Sequence, residues 1–355
     1  MKSSDAEPLQ ESFVFEVTQR CNHDCLHCYN AWKNRRPYPT GELATGETLA
    51  MVGKMLNETG ARHVSLSGGE PLLRADVYEI VDYLRDRGAV VNLITNGSLL
   101  DDAAVARLAP GKISVFELPL LSAEREIHDR MSGVRGAFDR VTMAIATLKA
   151  AGERVVTVFV ATRLNLATWR ETAEMAVALG ADGIMFNRFN PGGRGAENVE
   201  LLQAGPDALA EALAEADRMS AEYEIPISCS IAMPPCLFDT ARYERLTFGF
   251  CAAGTERAYY TLDPLGNVRP CNHSATILGN IRERTFAEMA SGETMRRFVK
   301  ARPAFCAGCA VETECQGGCK AAAEVCCGSP AELEPFVRAF KSRAVKPPAQ
   351  AALSK

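Results

Sequence analysis

The sequence lacks the features of membrane-spanning, exported and nucleic-acid-binding proteins. No apolar run approaches the roughly 18 residues of a membrane span, and the first twelve residues contain no apolar signal core. There is no basic excess, because 39 Lys and Arg stand against 44 Asp and Glu, for a formal net charge of -5. A basic face for nucleic acid is therefore not expected. We expect a cytoplasmic protein without a membrane or nucleic-acid partner.

Histidine is scarce, with 5 residues in 355, whereas cysteine is abundant, with 13. Hydrophobic residues make up 47% and charged residues 23%, as in ordinary globular proteins, which excludes disorder. The length suits one large domain and a smaller one. An odd number of cysteines without an export signal fits disulfides poorly, because the cytosol keeps thiols reduced. The clustered cysteines therefore favour thiolate ligands to metal.

Apolar segments recur every few tens of residues and alternate with helical patterns. This alternation predicts parallel strands with right-handed crossovers, hence an α/β sheet or an open or closed barrel. Ligand sites in such folds lie at the C-terminal ends of the strands. The predicted strands cover residues 13–17, 63–67, 90–95, 113–118, 155–160 and 183–186, and the predicted helices cover residues 48–58, 77–84, 101–108, 138–151 and 168–179.

The pattern changes beyond Asn198, where a helix at about 206–222 leads into a cysteine-rich region. A hairpin is predicted around Leu265-Gly266. The expected organisation is a disordered N-terminus over residues 1–12, a core domain over 13–225, a cysteine-rich domain over 226–340 and a flexible tail over 341–355.

The loop after the first strand carries Cys21, Cys25 and Cys28 with the spacing C-x3-C-x2-C. Three thiolates this close can hold three irons of a [4Fe–4S] cluster and leave the fourth iron open to another ligand. The alternative is a zinc site completed by His23 or His27. An open iron would imply chemistry at the cluster.

The loop after the second strand reads Gly68-Gly69-Glu70-Pro71. It presents backbone without bulky side chains, so that a polar ligand can approach main-chain groups, and Glu70 adds one anion. Alone, such a string is most often a turn. Beside the cysteine loop, with Thr95-Asn96-Gly97 following the third strand, it favours a ligand site.

The C-x3-C-x2-C loop followed by GGEP resembles the radical S-adenosylmethionine (radical SAM) superfamily over about residues 13–190. The resemblance implies a partial (β/α)6 TIM-like barrel, in which the open iron chelates the amino and carboxylate groups of S-adenosylmethionine (AdoMet). The implied catalytic cluster ligands are Cys21, Cys25 and Cys28, and the implied AdoMet contacts are Tyr29, Gly68, Gly69, Glu70, Pro71 and Asn96.

The resemblance also implies a reaction. The reduced cluster donates one electron to the sulfonium, and homolysis gives methionine and a 5′-deoxyadenosyl radical that abstracts hydrogen from the substrate. The cofactor supplies the difficult chemistry. The protein positions the substrate and excludes water and oxygen. Weaker candidates for AdoMet or substrate contacts are Glu117, Ser122, His128, Asp129, Arg130, the strand end at 186–189 and the turn at 192–195.

The C-terminal cysteines form a second pattern. Cys251 precedes Cys271, which ends a G-x4-C element, and four more follow as C-x2-C-x5-C-x3-C. A structural zinc ribbon is one interpretation. The lack of a spaced histidine pair favours iron–sulfur clusters. The string comprises Cys306, Cys309, Cys315 and Cys319, with Cys326 and Cys327 close behind.

This string resembles the SPASM domain, a small cysteine-rich α+β extension that carries one or two auxiliary [4Fe–4S] clusters. Cys236 could complete the first of these, or its fourth iron could stay open for substrate. Cys229 alternates with apolar residues, which predicts a buried thiol. The implied ligands are Cys251, Cys271 and Cys319 for the first cluster, and Cys306, Cys309 and Cys315 with Cys327 or Cys326 for the second.

We therefore expect a radical SAM enzyme, with a ribosomally made peptide as the first substrate class. The alternative is a small molecule such as a sugar, a tetrapyrrole or a cofactor precursor. A non-catalytic electron carrier or metal-stabilised binding protein is a third class, against which GGEP argues. The expected partners are an electron donor such as flavodoxin or ferredoxin and, for a peptide, a separate peptide-carrier protein.

Overall fold

The computed structural model describes residues 10–34, 37–109 and 111–347. Most of the expected disordered N-terminus, and residues 348–355 of the expected tail, lie outside the described residues. Within 341–347, Arg343 forms an ion pair with Asp207, and the Val345 backbone N–H donates to the carbonyl of Cys236. No helix in the described part of the chain is long and apolar enough to cross a bilayer.

The N-terminal part alternates strands and helices, as the sequence predicts. Each of the six predicted strands is present within a few residues of its predicted bounds. The elements are β1 (Ser12–Thr18), α1 (Thr45–Thr59), β2 (His63–Gly68), α2 (Val77–Asp86), β3 (Val90–Ile94), α3 (Asp102–Leu108), β4 (Val115–Pro119), α4 (Arg125–Ser132), α5 (Ala137–Ala150), β5 (Val155–Ala161), α6 (Trp169–Ala178), β6 (Gly183–Arg188), α7 (Val199–Leu202) and α8 (Pro206–Glu222).

Amphipathic spacing explains these helices, and α2 is the clearest case. Val77, Ile80, Val81 and Leu84 recur on one face, and all four are buried against the sheet. Gly88 follows the helix with φ +76°, a backbone conformation that glycine adopts without steric cost. Its N–H donates to the carbonyl of Arg85 at 2.8 Å, which ends the helix.

The remaining strands extend the same sheet at both ends. These are β7 (Ile227–Cys229), β8 (Leu246–Phe248), β9 (Tyr259–Leu262), β10 (Asn267–Arg269) and β11 (Gly279–Asn280). Strands β1 to β6 are parallel and follow chain order, within the sheet order β11-β10-β9-β1-β2-β3-β4-β5-β6-β7-β8.

Six parallel strands in sequential order with crossover helices confirm the partial (β/α)6 barrel. The predicted hairpin is also present, since β9 and β10 pair antiparallel around Leu265-Gly266. It is part of the barrel sheet, because β9 pairs parallel with β1, with Ser12 opposite Tyr259. An unpaired β1 edge would leave a row of backbone groups without partners. The cysteine-rich segment is thereby anchored beside the first cysteine loop.

Five short α-helices follow β11 in the described part of the chain. They are α9 (Phe286–Ala290), α10 (Glu293–Lys300), α11 (Glu312–Cys315), α12 (Lys320–Cys327) and α13 (Pro335–Ala339). Two of them contain cysteines, Cys315 in α11 and Cys326 and Cys327 in α12, and the other C-terminal cysteines lie in turns and loops.

Candidate active site

The cysteine loop, residues 19–30, follows β1 and lies over the C-terminal ends of the barrel strands. Cys21, Cys25 and Cys28 all line a central cavity of about 210 Å³. The loop is held from one side by α4, because the Asp24 N–H donates to the carbonyl of Ser132 at 3.1 Å. The structure therefore brings the three predicted cluster ligands together at the edge where parallel barrels bind ligands.

The turn after β6, residues 192–195, holds the loop from the other side. The Gly195 N–H donates to the Cys28 carbonyl at 2.9 Å, and the Arg194 guanidinium donates to the carbonyl of Asp24 at 2.6 Å. Gly193 has φ +43°, and a Cβ built on it would lie 2.4 Å from the Asn30 carbonyl oxygen. This turn was a weak candidate for an adenosine or substrate contact, and its observed contacts are with the cysteine loop.

Burial raises the pKa values of all three thiols. Burial raises the pKa of Cys25 most strongly, and the neighbouring Cys28 and Cys21 raise it further. The Lys33 ammonium lowers all three pKa values and donates to the His23 carbonyl at 3.0 Å. Thiols with raised pKa values are neutral until a metal binds and holds them as thiolates, and Lys33 places one positive charge beside the charge that would then develop.

The residues at the cysteine loop fit an iron–sulfur cluster. Among the described residues, the cysteines that line the central cavity are Cys21, Cys25 and Cys28, which would supply three irons of a [4Fe–4S] cluster with one thiolate each and leave the fourth open. Within residues 10–34, 37–109 and 111–347, no three Cys, His, Asp or Glu side chains converge closely enough to hold one metal ion.

The GGEP loop packs against the cysteine loop at backbone level. A Cβ on Gly69 would lie 2.0 Å from the Arg20 carbonyl oxygen, and one on Gly68 would lie 2.4 Å from that of Thr18. Both glycines line the central cavity. Glycine is therefore required at both positions by this close approach. The same two residues also leave their backbone accessible to a ligand in the cavity.

Glu70 is fully buried behind the cavity wall. Its carboxylate accepts hydrogen bonds from the Thr95 hydroxyl at 2.7 Å, the Asn96 N–H at 2.7 Å and the Leu72 N–H at 3.2 Å. Neither Glu70 nor Pro71 is among the described residues that line the cavity. Their direct contact with AdoMet stays a prediction, whereas the hydrogen bonds of Glu70 position Asn96.

Asn96 and Tyr29 do line the cavity. The Asn96 amide bonds to the Asn22 side chain at 2.9 Å and to the Cys21 thiol, whose pKa it lowers. The Tyr29 ring stacks on His273, with centroids 4.2 Å apart and planes 18° apart. The residue after Cys28 therefore contacts the loop that carries Cys271.

The first auxiliary cysteines, Cys251, Cys271 and Cys319, line a second, smaller cavity. Burial raises the pKa of Cys271, and the thiols of Cys319 and Cys251 raise it further. The two cavities share Asn190, Ile231 and His273 as a common wall. The Asn190 amide lies 3.1 Å from His273 Nδ1 and donates to the Cys319 sulfur at 3.2 Å. One wall thus separates the central cavity from the first auxiliary cysteines.

The second auxiliary cysteines, Cys306, Cys309 and Cys315, lie on adjoining turns, and the charge of Cys309 raises the pKa of Cys306. The structure does not bring Cys327 to them. Its thiol donates to the Leu333 carbonyl at 3.7 Å and has Arg338 and Glu332 as its charged neighbours. Cys229 is buried on β7, at 1% exposure, as predicted.

Lys33 lines the cavity without a distinctive sequence signal, whereas Arg188, which also lines it, belongs to the strand end 186–189 that the sequence offers as a contact for adenosine or substrate. Arg188 ends β6 and is 1% exposed. Its Nη2 donates hydrogen bonds to both carboxylate oxygens of Glu334, and its Nε donates one to the Ala232 carbonyl. Its Nη1 has no hydrogen-bond partner among the described residues. A buried donor without a partner is costly, so Nη1 is suited to an acceptor on a ligand.

Comparison with known families agrees with this geometry. The sequence model of the Radical SAM superfamily matches residues 15–176. That of the SPASM iron-sulfur cluster-binding domain matches residues 251–310. The first range contains the cysteine loop and the GGEP loop, and the second contains Cys251, Cys271, Cys306 and Cys309.

Relatives of known function cover nearly the whole chain. The AdoMet-dependent heme synthase of Methanosarcina barkeri is 31% identical over 345 residues, covering 91% of this chain and 95% of its own. The PqqA peptide cyclase of Gluconobacter oxydans is 28% identical, covering 91% of this chain and 89% of its own.

Among solved structures, SuiB of Streptococcus suis bound to S-adenosylmethionine matches with a TM-score of 0.72. The match has 16% identity and covers 93% of this chain and 77% of that one. At this identity the likeness shows the fold. This chain belongs to the radical SAM superfamily and carries a C-terminal SPASM domain. It is therefore an enzyme that uses AdoMet and [4Fe–4S] clusters.

Proposed function

We propose that this enzyme cleaves AdoMet reductively and abstracts hydrogen from a residue of a peptide substrate. The likeness to the PqqA peptide cyclase, which covers 91% of this chain, carries this proposal. The central cavity lies over the C-terminal ends of the barrel strands, so an extended peptide can insert one side chain beside the cysteine loop.

The walls of the cavity suit that substrate class. Ile94, Val158, Val160 and Phe189 provide apolar surface that excludes water from a reacting C–H bond. Arg188 offers its unpartnered Nη1 to an acceptor oxygen, such as a peptide carbonyl or carboxylate. These groups would hold and orient the substrate, since a well-oriented reactant contributes much of the rate.

The chain's own residues would hold the cofactors as follows. Cys21, Cys25 and Cys28 bind the catalytic cluster, with Lys33 as the nearby positive charge. Tyr29, Gly68, Gly69 and Asn96 surround AdoMet at the cavity wall. When bound, this pair supplies the one-electron chemistry that cleaves AdoMet and removes a hydrogen atom. A flavodoxin or ferredoxin would supply the electron, and a separate carrier protein could present the peptide.

A tetrapyrrole is the second candidate, because the heme synthase relative is 31% identical and matches almost end to end. The Arg188 guanidinium would then bind a propionate of the macrocycle. This candidate requires space for a macrocycle beside AdoMet over the cysteine loop.

The test compares the two substrate classes under anaerobic conditions. The reconstituted enzyme is incubated with AdoMet, a reductant and either short peptides encoded beside its gene or an iron tetrapyrrole bearing propionates. We expect a peptide to change in mass. When that peptide carries deuterium at the reacting carbon, we expect the deuterium to appear in 5′-deoxyadenosine. A Cys25→Ala variant controls for cleavage that does not need the cluster.

Consumption of the tetrapyrrole, with every peptide recovered unchanged, would contradict the peptide proposal and support the second candidate. Arg188→Lys, which keeps a cation opposite Glu334 but lacks Nη1, separates binding from radical generation. In the absence of substrate, we expect this variant to cleave AdoMet at the parent rate. Its KM for the true substrate should rise at least about tenfold, because one charge-assisted hydrogen bond to the substrate is lost.

A further inference from the structure

The loop between β7 and β8 places a cysteine beside the second auxiliary cysteines. Pro234 and Pro235 stiffen the loop, and the Leu237 and Phe238 N–H groups both donate to the Pro234 carbonyl. The Phe238 ring stacks on Phe336 of α13, with centroids 5.8 Å apart. This turn fixes Cys236 against the C-terminal segment.

The C-terminal segment links Cys236 to the loop between Cys306 and Cys309. The Val345 N–H donates to the Cys236 carbonyl at 2.9 Å. The Lys346 ammonium, one residue further, donates to the Ala307 carbonyl at 2.6 Å. Two consecutive residues thus bridge the Cys236 turn and the C-x2-C turn.

Electrostatics agree with this proximity. Burial, the largest cause, and the charges of Cys315, Glu334 and Cys306 together raise the pKa of Cys236 to about 12. Cys327, by contrast, has no cysteine among the charged neighbours that shift its pKa. Cys236 therefore lies within electrostatic reach of two of the second auxiliary cysteines.

We infer that Cys236 is the fourth thiolate of the second auxiliary cluster, with Cys306, Cys309 and Cys315. Cys327 takes no part in it. Lys346 places a positive charge beside this anionic site and lowers the pKa of Cys306. The inference rests on the SPASM assignment and is independent of the substrate class.

Complete thiolate ligation gives the two auxiliary sites different chemistry. A cluster held by four cysteines has no iron open to a ligand, so it can exchange electrons but cannot bind substrate. The first auxiliary site has Cys251, Cys271 and Cys319 alone on its cavity wall among the described cysteines. Any substrate coordination by an auxiliary cluster would therefore occur at the first one.

The test counts iron in a background that lacks the catalytic cluster. The full chain carrying Cys21→Ala, Cys25→Ala and Cys28→Ala is reconstituted anaerobically, and about 8 irons are expected for two auxiliary clusters. Cys236→Ala in this background should lose up to about 4 irons, or show a three-iron cluster by electron paramagnetic resonance. Cys327→Ala, the matched control, should keep the iron content and spectrum of its parent.

Two results would overturn the inference. One is a Cys236→Ala variant with the parent's iron and spectrum, and the other is a Cys327→Ala variant that loses the same cluster. Thiol alkylation of the unsubstituted holoenzyme tests it independently of variant folding. Mass spectrometry should find Cys236 protected when iron is present and labelled after iron is removed, with Cys327 labelled in both cases. Equal labelling of Cys236 in the two states would also overturn it.

Discussion

Glu117 shows what the central cavity does to a single carboxyl group. It lies near the end of β4 and lines the cavity, and burial raises its pKa from the usual 4.5 to about 7. Between these pH values the Glu117 carboxyl is ionised in the unfolded chain and protonated in the native one, so native stability falls as pH rises from about 4.5 to 7. Above pH 7 the carboxylate is ionised in both states, and the native state bears the full free-energy cost of burying its charge.

Glu117→Gln removes this penalty and should stabilise the protein at high pH. The gain over the parent should reach up to about 3 kcal/mol at pH 8 and shrink to about 1 kcal/mol at pH 5.5. Anaerobic urea unfolding at the two pH values measures it. Glu79→Gln, which removes an exposed carboxylate from α2, is the control. A gain from Glu117→Gln that does not depend on pH would contradict the assigned pKa.

Spacing along the chain identified some site residues and missed others for a physical reason. Cys21, Cys25 and Cys28 lie in one loop, so their sequence spacing nearly determines their distance in space. Lys33 reaches the cavity from a turn that only the fold positions, whereas Arg188 lies in the strand end at 186–189 that the sequence offers as a candidate. Cys236 lies far in sequence from Cys306 and reaches it because β7 extends the barrel sheet. Sequence order alone favoured Cys327.

At the scale of elements, the turn after β6 determines where the cysteine loop sits. Gly193→Ala should displace the loop, because its Cβ would lie 2.4 Å from the Asn30 carbonyl oxygen. We expect less iron per chain and slower formation of 5′-deoxyadenosine from AdoMet. Iron analysis and an anaerobic cleavage assay measure these two effects.

Gly152→Ala is the matched control for the backbone conformation. Gly152 also has positive φ, +80°, but a Cβ there meets nothing within 4 Å. It should cost about 1 kcal/mol of stability and leave iron content unchanged. Equal iron content in the two variants would show that the turn does not support the cysteine loop.

Element order was predictable, and the contacts between elements were less so. Period-two and helical patterns placed β1 to β6 correctly, because each strand is buried and each helix is amphipathic. α4 was not predicted as a helix, since its polar sequence carries few apolar residues. The pairing of β9 with β1 was also missed, because a hairpin signal identifies its own partner strand but not a third one.

At the scale of the molecule, two buried ion pairs join the barrel to the cysteine-rich segment. Glu16 of β1 pairs with Arg269 of β10, and Arg188 of β6 pairs with Glu334 beside α13. All four side chains are at most 1% exposed. Each pair also reaches an auxiliary cysteine loop, since Arg269 donates to the Asn272 and Ser274 carbonyls and Glu334 accepts from the Cys319 N–H. Assembly of the first auxiliary site is therefore coupled to docking on the barrel.

Removing one partner of such a pair should destabilise the whole molecule, because the other charge stays buried. Glu334→Gln should lower the free energy of unfolding by about 3 to 5 kcal/mol, measured as a lower thermal midpoint under anaerobic conditions. Glu293→Gln breaks an exposed pair with Arg297 and should have little effect. The double variant Arg188→Met, Glu334→Leu should lose less stability than Glu334→Gln, since no charge is left unpaired. If Glu334→Gln cost no more than Glu293→Gln, the ion pair would not hold the two parts together, and apolar packing such as that of Phe238 on Phe336 would have to do so.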